Sequence, residues 1–304
     1  MTEIVDTSKS TREAPATTRA VTVQAQAGIE KQRAEARQQV DQTLDRDAIS
    51  AIEETQRVID AINANTISEA LSSLERASGK INVLLARNPA TALIPINNEV
   101  VVFDTAPEDL DSIAEIADAA DAAMVLEDYP AARALLYGLM SELRVRTYNL
   151  PLASYPDVLK QAARLLDEKK KEEARLVLMT ALGTLVVIDQ VTPLPLLLMR
   201  EAINEAQVRR DKDKASAQVF LETARYELDR AMSLGYAAQD PEYKALKDEI
   251  STIQKQLKKG EDTSSLFTKL RERMSAFLKR QAEGKQSRQA ASQSGQSDQK
   301  KRAA

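Results

Sequence analysis

The chain has no cysteine, no histidine and no tryptophan. Without thiolate or imidazole it cannot build a disulfide, a thiol nucleophile, a Ser-His-Asp triad, a structural zinc site or a His- or Cys-ligated haem. Carboxylate, Lys, Tyr or Ser/Thr chemistry survives, as does oxygen coordination of Mg²⁺ or Ca²⁺. A chain without thiols suits an oxidising or a reducing space equally, so cysteine usage says nothing of compartment. Excess positive charge is also missing: 42 Lys and Arg stand against 46 Asp and Glu, a formal net charge of −4, which argues against broad phosphate-backbone binding. The longest uninterrupted apolar run, Pro193 to Met199, falls far short of the roughly 18 to 20 residues that span a bilayer, so no membrane span is expected. Met1 to Gly28 lacks the apolar stretch of a secretory signal. The expected location is therefore cytoplasmic, or periplasmic had a signal already been removed.

What is present is helical in character. Apolar residues make up 43% of the 304, mostly Ala and Leu, while aromatics are only 4% and glycine occurs 8 times. Straight-chain residues and Ala lose little entropy in a helix, and the β-branched and aromatic residues that favour sheets are sparse. The length suits one large helical domain or two small ones. The expected fold is mainly α, a multi-helix bundle of α-hairpins with one short β-hairpin and a coiled-coil-like C-terminal helical hairpin.

Along the chain, residues 1–28 read as a disordered lead-in. From Ile29 a long or broken helix runs to Ile62, and Thr66 with Glu69 suggests a capping box for the next, which Asn88-Pro89 ends. Ala92 to Ile96 and Glu99 to Phe103 flank Asn97-Asn98, a pattern that suggests a β-hairpin near 92–103, with Pro95 confining the first strand to an edge or a bulge. A weak internal repeat follows. Ala132-Arg133 lies over Ala174-Arg175, Leu143 over Leu185, Val145 over Val187 and Pro151 over Pro193. Upstream, Ala122-Ala123 lies over Ala162-Ala163 if the loop joining the helices differs by two residues. Each unit reads as helix, turn, helix and a Pro-containing exit. Gly235 is expected to cap a helix and Pro241 to open the C-terminal hairpin of 241–282, with Tyr243, Leu246, Ile250, Ile253 and Leu257 as its seam. Leu266, Leu270, Met274 and Phe277 pack back on that seam. Residues 283–304 are expected to form a disordered tail.

The phrasing of Leu143-Arg144-Val145, of Asn149 to Pro156, of Ala162 to Asp167 and of Thr192 to Leu196 resembles the bacterial YfdX family. The resemblance spans about Asp45 to Gly235, inside a helical domain placed at 29–235. It implies a mainly helical fold, a tendency to oligomerise and an association with stress, acid or drug tolerance, with chaperone-like or small-molecule-binding roles suggested for relatives. It brings no catalytic residues. Many relatives begin with a secretory signal, and the C-terminal hairpin looks like an added element.

Arg144, Arg146, Tyr148 and Tyr155 lie near one another in sequence, and with Asp189 they form a candidate ligand-binding or anion-binding rim; a half-buried ion pair accounts for the same residues. Arg133 and Arg175 either face a common groove or pair with nearby acids. Asp104, Glu108, Asp109 and Asp111 suggest oxygen ligands but match no calcium loop, and acids are expected at a helix start. The basic residues Lys285, Arg288, Lys300, Lys301 and Arg302 carry no aromatic residues between them to stack bases. The reading is thus of a non-enzymatic, homo-oligomeric protein of the YfdX kind, without cofactor or metal, that binds client proteins or small amphipathic molecules and neither nucleic acid nor membrane. A TPR-like adaptor holding one defined partner is the alternative, and an enzyme using Asp, Glu, Lys or Tyr a third.

Overall fold

The computed structural model describes residues 16–236 and 240–280, with side chains from Ala27 onward. Helix α1 (Ala16–Asp41) occupies part of the segment expected to be a disordered lead-in: an Ala- and Gln-rich stretch without internal proline extends an anchored helix backward. Residues 1–15 and the expected tail at 283–304 lie outside the described residues. The chain breaks at 42–45, where the Asp45 carboxylate accepts the N–H groups of Asp47 and Ala48 and so starts α2 (Arg46–Asn63). Thr66 precedes α3 (Ile67–Arg87) but bonds no N–H of it; its hydroxyl donates to Ala61 O and Glu69 instead.

The expected short hairpin is not formed. Residues 93–104 are one strand, β1 (Leu93–Asp104), whose partner is the distant β2 (Ser141–Pro151). Pairing along the whole of β1 satisfies far more backbone groups than two short strands folded on Asn97-Asn98, and that outweighs the local turn preference. The asparagines join the ladder opposite Tyr148 and Thr147, and the extra residue is Ile96, a bulge where the register shifts between Pro95 and Asn97; β1 is an edge strand, so Pro95 needs no ladder donor. The remaining strand is β3 (Val186–Pro193), antiparallel to β2, giving the order β1-β2-β3.

Between the strands lie α4 (Leu110–Val125) and α5 (Tyr129–Tyr137), then α6 (Tyr155–Asp167) and α7 (Lys171–Leu182). The sequence repeat is therefore an ααβ unit, and it occurs three times: α2-α3-β1, α4-α5-β2 and α6-α7-β3. The exit expected after each helical hairpin is a strand, so the units join through a sheet, and a TPR-like stack of helical hairpins is not what they build. Each αα turn has the same construction. Asn65, Glu127 and Lys169 take φ of 61°, 58° and 61°, and the N–H groups of Thr66, Asp128 and Lys170 reach back to the carbonyls of Ala61, Ala123 and Leu165. This left-handed residue with its six-to-one bond closes the end of a helix. It also corrects the alignment upstream, because Glu127 and Lys169 coincide in the register that lays Leu143 over Leu185, and no difference in loop length is needed.

Antiparallel pairing sorts the hairpins. The chain enters β1 and leaves β2 at one end of the sheet, where α2-α3 and α6-α7 pack together over Ile94, Leu150 and Leu152. The α4-α5 hairpin joins β1 to β2 at the other end and, among the described residues, has no sister hairpin there.

One sheet face, with Val100, Leu143 and Val145, is covered by Leu194 and Leu197 and by Ile29, Ala36 and Val40 of α1. The first of these belong to α8 (Leu194–Arg209), which starts in the apolar run after Pro193 and is buried on nearly all sides. With α9 (Lys214–Ser233), α10 (Glu242–Lys259) and α11 (264–280) it builds a second core that contains the Tyr243 to Leu257 seam together with Leu270, Met274 and Phe277. The C-terminal hairpin thus shares its core with α8 and α9, and no boundary separates it at 235. Gly235 and Gly260 take φ of 78° and 76° after α9 and α10, the conformation that the expected cap requires.

Candidate functional site

Two neighbouring surfaces draw attention, and they meet at one aromatic contact. The first is the sheet face opposite α8. Alternate residues of β2 point there, among them Arg144 and Arg146, and the in-register neighbours are Val101 and Glu99 on β1 and Val191 and Asp189 on β3. Arg146 donates Nε to Asp189 Oδ1 and Nη2 to Asp189 Oδ2, both at 2.8 Å. This planar fork holds the Asp189 carboxyl below the ordinary carboxylate range, chiefly through the hydrogen bonds from Arg146, and raises Arg146 further. Arg144 donates to Glu142 and lies over the Phe103 ring, 4.7 Å from its centroid.

The candidate rim is therefore assembled in part. Arg144, Arg146 and Asp189 share one face with Tyr148, which lies farther along β2, interacts with Arg146 and packs against the core under α2-α3 and α6-α7. Tyr155 does not belong. It is fully buried in that core, its hydroxyl donating to Thr55 Oγ1 at 3.0 Å, and burial pushes its phenol up to about 12. A tyrosine at the start of α6 turns inward because α6 packs on α3 and its first turn reaches Thr55 of α2, a packing decision that proximity in sequence does not reveal. The four acids also separate by role: Asp109 caps α4 through Ser112, and Asp104 accepts from Ser141 Oγ. Arg175 pairs with Glu172.

The second surface is the α4-α5 hairpin itself, which residue-by-residue reading passed over. Aligned on the αα turns, Val58, Ala120 and Ala162 coincide and are buried in all three units, as are Ala70, Ala132 and Ala174. These positions hold each hairpin together. The positions that meet the next hairpin behave differently. Ile62 is 2% exposed and Leu166 4%, whereas Met124 at the same place is 49% exposed; Leu74 is 3% exposed and Leu178 0%, whereas Leu136 is 53%. The apolar pattern is kept in the hairpin that has nothing among the described residues to cover it. Its turn is more apolar still: Val125 and Leu126 stand where the other units have Asn63-Ala64 and Asp167-Glu168, and both are largely exposed, as is Tyr129.

Val125 and Leu126 forfeit most, and Met124 and Leu136 about half, of the roughly 1.5–3 kcal/mol that full burial of such a side chain contributes. These exposed apolar residues gather on an otherwise acidic hairpin. They run on into the sheet face, because Tyr137 meets Phe103 edge to face at 6.4 Å and Phe103 carries Arg144.

Residues 51–191 match the family model of the YfdX protein. Among solved structures, that of Salmonella Typhi YfdX is similar at 18% identity, covering 50% of this chain and 93% of that one with a TM-score of 0.33. No curated protein sequence matches the chain. Among the described residues no helix is long and apolar enough to cross a membrane.

Proposed function

We propose, from the premise that this chain carries a YfdX domain over residues 51–191, that the protein works by binding and not by catalysis. It captures apolar segments of client proteins during stress, in a chaperone-like manner, on the α4-α5 hairpin. In the resting state a second copy covers the same face, which makes the protein a homo-oligomer that gives up self-contacts to clients. The observation that carries the reading is the contrast between Leu136 and its counterparts Leu74 and Leu178: one pattern, buried twice and left exposed once. Arg144 and the Arg146–Asp189 pair border the patch and supply the polar rim that a client backbone meets.

The test is suppression of thermal aggregation of a model client, citrate synthase, at near-stoichiometric ratios, alongside light scattering to fix the size of the assembly. Wild type should suppress aggregation and associate. The double variant Leu126→Gln, Leu136→Gln should stay folded, lose most of the suppression and shift toward monomer. Unchanged suppression by the folded double variant would remove α4-α5 as the capture surface.

A further inference from the structure

Helices α1, α8, α9 and α10 and the segment after β1 line a cleft of ≈1070 Å³. One wall is apolar, made of Ile29, Leu198, Ala202, Val219 and Phe220. Two turns farther along α9 the lining becomes ionic. Arg230 on α9 is almost completely buried, yet much of its donor capacity is spent on backbone: Nε donates to Pro107 O and Nη2 to Ala106 O, both at 3.2 Å. Three carboxylates look toward that one guanidinium. Asp104 approaches it at 3.6 Å and Glu227 at 3.7 Å, and Glu108 stands beside them.

Glu227 is the least well served. Its Oε2 is buried and accepts no hydrogen bond from any described residue, and the carboxyl lines the cleft. Burial pushes it up to about 7, with Arg230 opposing and Asp104 and Glu108 adding to the shift. Over the whole lining seven carboxylates face four cations, and two of the seven, Glu205 and Asp229, pair with Arg209 and Lys247 just outside it. The cleft therefore offers apolar side chains, a small excess of carboxylates and an acceptor atom out of reach of bulk water. A ligand that satisfies all of these has a protonated nitrogen on an apolar body.

We propose that this cleft is a binding site for cationic amphiphiles, organic amines whose ammonium group pairs with Glu227 and whose hydrocarbon lies along Leu198, Val219 and Phe220. Neither region alone selects such a molecule. An apolar wall takes any hydrocarbon, and exposed acids take any cation weakly; a buried carboxylate two helical turns from Phe220, roughly 10 Å along α9, selects a molecule that carries both properties along its length. At the α1 side of the cleft, Gly28 lets the helix backbone approach Glu201 so closely that a Cβ there would stand 3.2 Å from its Cγ. The site is distinct from the α4-α5 patch, so substitutions at Leu126 and Leu136 leave it untouched and the two readings fail separately.

The test is isothermal titration of the full-length protein with octylamine, octanoate and octanol, each below its aggregation concentration. Octylamine is expected to saturate at one per chain and to bind at least tenfold more tightly than octanol, with octanoate weaker still. Glu227→Gln should cost about tenfold in octylamine affinity and leave octanol unchanged. Should that variant not fold, Glu108→Gln, which alters an exposed residue, should weaken octylamine a few-fold. Absence of saturable octylamine binding, equal binding of the three probes, or affinity unaffected by loss of either carboxylate would overturn the assignment.

Discussion

Arg146 and Asp189 stand directly opposite each other on β2 and β3, so the ladder that pairs their backbones also aligns guanidinium and carboxylate for a two-pronged contact. The pair locks the edge along which β3 is held, since among the described residues β3 has no strand neighbour beyond β2. Asp189→Asn is expected to lower stability by about 1–2 kcal/mol at neutral pH, less than for a fully buried pair because Arg146 is partly in solvent. The sign with pH follows from the depressed carboxyl. Its contribution is present above the ordinary carboxylate range and fades as pH falls through the lower folded value, so wild type and variant should converge in strong acid. Urea denaturation at several pH values measures this; a gap that does not narrow in acid contradicts it.

Glu227 has the opposite sign. Its folded value of about 7 lies above the 4.5 of the free side chain, so the native state holds a proton that the unfolded chain has released between those limits. Stability should therefore fall as pH rises from about 4.5 through 7. Glu227→Gln keeps the shape without the charge and should raise stability at pH 8 by ~2 kcal/mol, with little effect at pH 4. Thermal melts of the two proteins across this range decide the matter, and a variant less stable than wild type at pH 8 would refute it.

Leu136 and Leu178 occupy one place in the repeat with opposite burial. Leu178→Ala is expected to cost about 2–5 kcal/mol, because it opens a cavity between hairpins. Leu136→Ala should change the stability of the dilute monomer by no more than about 0.5 kcal/mol. Its effect belongs to association. Denaturation as a function of protein concentration separates the two, and equal costs at the two sites would show that α4-α5 is already covered within the chain.

Tyr155 places its hydroxyl on Thr55 in the core shared by α2 and α6. Tyr155→Phe should cost about 1 kcal/mol and leave client capture intact. A variant that stays fully stable but loses binding would return Tyr155 to the rim.

Local composition determined much of this protein. The Ala- and Leu-rich stripes specify helices, Gly235 and Gly260 end two of them, and the seam from Tyr243 to Leu257 is buried as its spacing requires, because each follows from interactions within a few turns of chain. The YfdX resemblance was legible too, and it rests on the units that the repeat connects. Strand β2 left a period-two trace, Leu143, Val145 and Thr147 alternating with Arg144, Arg146 and Tyr148, which the helical reading of the repeat overrode.

Only the tertiary structure decided which partner each segment takes. Asn97-Asn98 reads as a turn until β2, some forty residues on, offers a longer ladder, and Tyr155 reads as a rim residue until α6 folds against α3. The three hairpins carry one apolar pattern, and antiparallel pairing alone assigns two of them to one end of the sheet and the third to the other. Periodicity states that a face is apolar; only the arrangement of the other elements states whether anything covers it.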